Sequence, residues 1–146
     1  MAGADTIFRF SHPLRVRWAE CDLQGIVFFG RYYEYFDIGM TEYLRALGVA
    51  YPRDFLAAGG DLFIKHSECD HQGSARFDEI IDIDTRIARL GRSSIVFEFR
   101  VARAGEALAN GQIVYVFADP EARTTLALPA DFRAAVESFE TFDDKE

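Results

Sequence analysis

Cysteine is scarce in this chain, with only Cys21 and Cys69 among 146 residues. The two form no CxxC pair and no metal-spaced motif, which excludes a disulfide framework and a zinc knuckle. They read as reduced, partly buried thiols of a cytoplasmic protein. Histidine is limited to His12, His66 and His71, and no two have ligand spacing, so no metal site is expected. Long apolar runs are missing, so no membrane span is expected. The first residues lack the apolar core of a secretory signal, which again predicts a cytoplasmic location. Basic charge is also short: 16 Lys and Arg stand against 24 Asp and Glu, a net charge of -8. That balance argues against nucleic acid as the main partner.

Aromatic residues are abundant. Fourteen Phe and six Tyr are enough for a dense core, with some left over for a pocket or an interface. No internal repeat or Pro/Gly/Ser-rich linker divides the chain. One domain over residues 1–146 is expected, with an ordered core over about 8–140 and frayed ends at 1–5 and 141–146. A chain of this length buries roughly two-thirds of its unfolded surface without staples.

Periodicity defines the elements. Leu14, Val16 and Trp18 alternate with Arg15, Arg17 and Ala19, which predicts a strand with one buried face. Tyr32, Phe36, Met40, Tyr43, Leu44 and Leu47 fall on one helical stripe, bounded by Gly30 as N-cap and Gly48 past the C-terminus. Tyr33, Tyr35 and Tyr51 are left for a pocket wall or a subunit surface. Residues 52–58 predict a short second helix. Alternation then predicts strands near 62–67, 81–87, 95–101 and 113–118, with a hairpin turn at residues 104–106. His66 is predicted to face inward with Leu62 and Ile64, and His12 and His71 to lie on surface loops. A last strand at 124–128 and a helix opened by Pro129 complete the chain. One amphipathic helix cannot bury its stripe alone, and an antiparallel sheet curled around it would do so. The fold class is therefore α+β.

Chemistry concentrates between the first strand and the long helix, in residues 18–33. A helix start carries unsatisfied N–H groups and partial positive charge, which suits a developing oxyanion. Asp22 lies eight residues before Gly30, and Gly25 lets the loop fold back. A carboxylate facing such donors can attack an acyl carbon or activate a water that does. Glu20, two residues away, is a competing carboxylate, and the residues alone do not choose between them.

The run Glu20-Cys-Asp-Leu-Gln-Gly-Ile-Val-Phe-Phe-Gly-Arg-Tyr-Tyr33, leading into the helix, resembles the 4-hydroxybenzoyl-CoA thioesterase family. That family shows Asp-x-Asp-x-x-Gly-[Ile/Val]-Val-[aromatic]-x-x-x-Tyr. The likeness continues through residues 75–80 and residues 92–94. The resemblance implies a hotdog fold, in which the sheet wraps the long helix. It implies an acyl-CoA thioesterase acting on an aromatic or short-chain acyl group, assembled as a homodimer or homotetramer with sites at subunit boundaries. Asp22 takes the position of nucleophile or general base. The amides of Phe29 and Gly30 form the oxyanion hole. Gly25, Arg92 and Ser93 are the implied substrate-binding residues, with Arg92 on the coenzyme A phosphates. No resident cofactor is implied, because coenzyme A arrives as part of the substrate.

Three departures stand out. Glu20 replaces the first Asp. Phe29 stands where many acyl-CoA members carry His, closer to the Tyr of aromatic-acyl members. The turn Leu90-Gly91-Arg92 holds a single Arg. Two rival expectations remain: a non-catalytic hotdog protein that binds an acyl or aromatic ligand, and a hydratase or dehydratase on the same fold.

Overall fold

The computed structural model describes residues 8–142. Five strands form one antiparallel sheet: β1 (Phe10–Arg15), β2 (Asp61–His71), β3 (Ile80–Leu90), β4 (Ser94–Arg103) and β5 (Glu106–Ala118). Their order across the sheet is β1-β3-β4-β5-β2. Helix α1 (Arg31–Ala46) lies on one face and contacts β3, β1 and β4. Two shorter helices follow, α2 (Arg53–Ala57) and α3 (Ala130–Phe139).

The two-residue period of the strands sorts the side chains. Ile95, Phe97, Phe99 and Val101 of β4 are buried towards α1. Their neighbours Glu98 and Arg100 point to the other face and pair across the strand boundary with Arg86 and Asp84. From α1 come Tyr32, Tyr35, Phe36, Met40, Tyr43 and Leu44, all buried. Phe36 stacks on Phe99 with ring centroids 4.8 Å apart. The helix ends as predicted, with Gly30 as N-cap and Gly48 at φ +79.

Several expectations are corrected. The first strand runs over Phe10–Arg15, earlier than residues 14–18, and His12 sits within it. Trp18 belongs instead to a 3-10 turn, Trp18–Glu20, and is 74% exposed. Tyr35 is core and not pocket wall, because it lies three residues from Tyr32 on the buried face of α1. His66 faces outward, where its ring bonds Glu68 at 2.8 Å. Ile64, also predicted inward, is 62% exposed, and Lys65 and Ser67 are exposed too, so this part of β2, which carries a register shift between Ile64 and His66, has no buried face. His71 is the last residue of β2, its ring edge-on to Tyr32. No strand forms at residues 124–128, where a single bridge joins Thr125 to Ala118. Pro129 occupies the N-cap of α3, one residue before the first turn. Thr141 accepts a hydrogen bond from Arg9, and Phe142 packs on the core, so neither is frayed. Residues 1–5 and 143–146 of the expected frayed ends lie outside the described residues.

Gly39 sets how closely α1 approaches the sheet. A Cβ there would lie 2.5 Å from Thr85 Oγ1 and 2.7 Å from Ile83 Cγ2. Glycine inside a helix costs about 1 kcal/mol relative to alanine, and here the close packing of α1 on β3 offsets it. Gly39→Ala should therefore lower stability by about 1–3 kcal/mol despite its better helix propensity. Thermal unfolding followed by circular dichroism checks this; an unchanged or raised Tm would contradict it.

Candidate active site

The loop between β1 and α1 folds into a small hairpin. Cys21 and Val27 form an antiparallel bridge. The Asp22 amide donates to the Ile26 carbonyl at 2.9 Å, and the Gly25 amide donates to the Asp22 carbonyl at 3.0 Å. Gly25 adopts φ +80 at the tip, a conformation that disfavours a side chain. The return arm is fastened to the segment before β3, where Ile26 bridges Arg76 and the Val27 amide donates to the Ala75 carbonyl at 2.9 Å.

Asp22 caps its own turn: Oδ1 accepts from the Gln24 amide at 2.8 Å. Oδ2 has no hydrogen-bond partner among the described residues. On the return arm, the Phe28 amide donates to the Glu20 carbonyl at 3.0 Å. The next two amides, Phe29 and Gly30, have no acceptor among the described residues. They are the orphan donors expected just ahead of a helix. A carboxylate oxygen and two amides without acceptors among the described residues thus lie on the one loop between β1 and α1.

Glu20 does something different. Its side chain is buried, 5% exposed, and accepts three hydrogen bonds. Oε1 accepts from the Arg17 amide at 2.9 Å and from Tyr35 Oη at 2.9 Å. Oε2 accepts from Arg17 Nε at 2.9 Å. The spacing Arg17-x-x-Glu20 is that of a capping box. Arginine is not a residue that advertises such a cap, so the sequence does not reveal it.

Apolar groups surround the loop without being covered. Trp18 meets Phe77 edge-on at 5.2 Å, Phe28 lies against Phe29 at 4.8 Å, and Leu23 is fully exposed. Phe29 is 67% exposed. A cleft of about 430 Å³ lies elsewhere, between α2, α3 and the end of α1, and includes none of the predicted site residues.

Asp22, Gly25, Phe29 and Gly30 share the loop between β1 and the start of α1, and Arg92 and Ser93 lie elsewhere. Those two sit in the β3–β4 turn, held by the Leu128 amide on the Arg92 carbonyl and the Phe117 amide on the Ser93 carbonyl, each at 2.8 Å. The Asp22 loop packs beside the residues that precede β3. The length of that strand, 11 residues, separates it from Arg92 by on the order of 30 Å within one chain.

Burial raises the pKa of Glu20, but the bonds from the Arg17 amide, the Arg17 side chain and Tyr35 outweigh it, and the carboxyl is held below its ordinary 4.5. A lowered folded-state pKa contributes stability above the unfolded value, and that stability is lost as pH falls through the folded one. Glu20→Gln should therefore flatten the fall in Tm below about pH 4.5. A Tm–pH curve as steep as that of the unaltered protein would contradict this.

Comparison with known proteins identifies the family. Residues 24–110 match the model of the thioesterase superfamily. The acyl-CoA thioesterase YbgC of Haemophilus influenzae is 26% identical over 126 residues, covering 86% of this chain and 93% of its own. A Thermus thermophilus protein described as hypothetical superposes with a TM-score of 0.81 at 25% identity, over 89% of this chain and 98% of that one. A 1,4-dihydroxy-2-naphthoyl-CoA thioesterase from Synechocystis shares the fold, with a TM-score of 0.82 at 17% identity, over 90% and 98%. This chain belongs to the thioesterase superfamily and carries its hotdog fold.

Proposed function

We propose that this thioesterase hydrolyses an acyl-CoA, with an aromatic or short-chain acyl group, to the free acid and coenzyme A, and that Asp22 drives the reaction. The observation that carries this reading is that one loop holds both Asp22 Oδ2 and the amides of Phe29 and Gly30, all without hydrogen-bond partners among the described residues.

The thioester oxygen would accept hydrogen bonds from those amides, which draws electron density away from the acyl carbon. Two routes then conserve atoms and charge. In one, Asp22 attacks the acyl carbon, coenzyme A leaves as thiolate, and water cleaves the resulting anhydride to restore the carboxylate. In the other, Asp22 takes a proton from water as that water attacks, and the tetrahedral intermediate expels the thiolate. A thiol leaves readily as its anion, with an ordinary pKa of about 8.5, so neither route needs an acid on the leaving group. This suits a site with Phe29 where an imidazole might stand.

In this reading the exposed rim of Trp18, Leu23, Phe28, Phe29 and Phe77 is covered in a homodimer or homotetramer, which closes the acyl site. Arg92 and Ser93, remote from Asp22 in their own chain, would hold the coenzyme A phosphates of a site on another copy. Gly25 would let substrate approach the hairpin backbone. No resident cofactor enters, and the protein would work in the cytoplasm.

A thiol-release assay over a panel of acyl-CoA thioesters tests the reading. Asp22→Asn should reduce kcat by about 10²- to 10⁴-fold with little change in Tm. No thiol release from any thioester by the unaltered protein would reject hydrolysis, and equal rates for the two proteins would reject Asp22. Arg92→Ala should raise KM for acyl-CoA about tenfold, as expected for loss of one charged hydrogen bond. It should leave hydrolysis of the matching acyl-pantetheine thioester unchanged, since that substrate lacks the nucleotide phosphates. An equal loss on both substrates would remove Arg92 from phosphate binding.

A further inference from the structure

We infer that Glu20, braced by Tyr35 and Arg17, is a positioning residue that holds the Asp22 carboxylate and the Phe29 amide in register with each other. The inference rests on the reading of Asp22 and Phe29 given above and adds the part that aligns them.

Glu20 bonds to Arg17 on the β1 side, to Phe28 on the return arm and to Tyr35 on α1. Its backbone carbonyl accepts the Phe28 amide at 3.0 Å, which fixes the peptide immediately before the Phe29 amide. Two residues downstream of Glu20 on the other arm is Asp22, so the same residue fixes where that arm begins. Its side chain then reaches beneath the loop to Tyr35, in the second turn of α1, at 2.9 Å. Arg17 closes the arrangement from the β1 side through both its backbone amide and Nε. Arg31, at the helix start, adds a bond from Nη2 to the Ala19 carbonyl at 3.3 Å. The carboxylate thereby links the end of β1, the hairpin and the helix whose start supplies the amides.

A buried carboxylate with three donors is a stiff joint, because breaking any one contact leaves a buried charge poorly solvated. Acyl transfer is sensitive to such joints: a misplacement of about 1 Å can reduce rate by roughly 10²-fold. The strut touches no reacting atom, so its effect should fall on alignment in the transition state more than on ground-state binding.

The test compares Glu20→Gln, Tyr35→Phe and the double variant with the unaltered protein and with Asp22→Asn. Steady-state kcat and KM are measured on one acyl-CoA well below each Tm, per mole of protein folded by circular dichroism. Amide hydrogen exchange at Phe28, Phe29 and Gly30 is read by NMR on the same samples. Both single variants should lose about tenfold or more in kcat with KM changed less than twofold. The double variant should be no slower than the slower single, since the two side chains share one contact. Exchange at Phe28 should speed up in each. Unchanged kcat in the folded single variants, or a loss confined to KM, would overturn the inference and leave Glu20 a stability residue only. If instead the unaltered protein releases no thiol, or Asp22→Asn equals it, the hydrolase reading fails. Positioning is then judged by exchange alone, and unaltered exchange at Phe28 and Phe29 would overturn it.

Discussion

The stripe of Tyr32, Phe36, Met40, Tyr43 and Leu44 fastens α1 to the sheet, and the position of every group at the Asp22 loop follows from that seating. Apolar burial supplies the force, since a helix face of this size cannot remain in water. Gly39 removes the one Cβ that would hold the helix away from Ile83 and Thr85. Once the helix is down, its N-terminus can lie in only one place relative to β1 and β3. The free amides of Phe29 and Gly30 are delivered to the mouth of the hairpin as a consequence.

The stripe is not purely apolar. With Tyr35 beside it, the buried face of α1 holds three tyrosines, and a buried hydroxyl must find a partner. Each partner comes from a different segment. Tyr35 donates to Glu20 in the loop before α1. Tyr32 accepts from the Ala75 amide, ahead of β3, at 3.1 Å. Tyr43 donates to Glu140, past the end of α3, at 2.5 Å, and Glu140 also accepts the Ile87 amide at 3.1 Å. Hydrophobic burial therefore brings the helix to the sheet, and these three bonds decide which stretches of irregular chain are drawn against it. Burial and the bonds to Glu20 and Glu140 push the Tyr35 and Tyr43 hydroxyls far above their ordinary pKa, so both remain donors throughout the working pH range.

The long helix, its glycine boundaries and the interior strands were legible because their apolar spacing survives intact. Errors gathered where a local irregularity breaks the period. Along β2, Ile64 and His66 both face solvent, beside a register shift at Lys65. Trp18 extended an alternation by chance, although its ring lies in solvent beside Phe77. At the site, the residues alone left Asp22 and Glu20 as rivals, and the family resemblance chose Asp22. The structure supplies the physical difference between them: both oxygens of Glu20 are engaged by Arg17 and Tyr35, whereas Asp22 Oδ2 has no hydrogen-bond partner among the described residues. The placement of Arg92 was not legible, because it depends on the path of the whole of β3.

In the proposed reaction the thioester carbonyl is held by the start of α1, with Asp22 facing the acyl carbon. The most direct measurement is a crystal structure of Asp22→Asn with a slowly hydrolysed acyl-CoA. The account predicts the carbonyl oxygen about 3 Å from the Phe29 and Gly30 amide nitrogens, and residue 22 in contact with the acyl carbon or a water beside it. An acyl group bound away from these amides would contradict it.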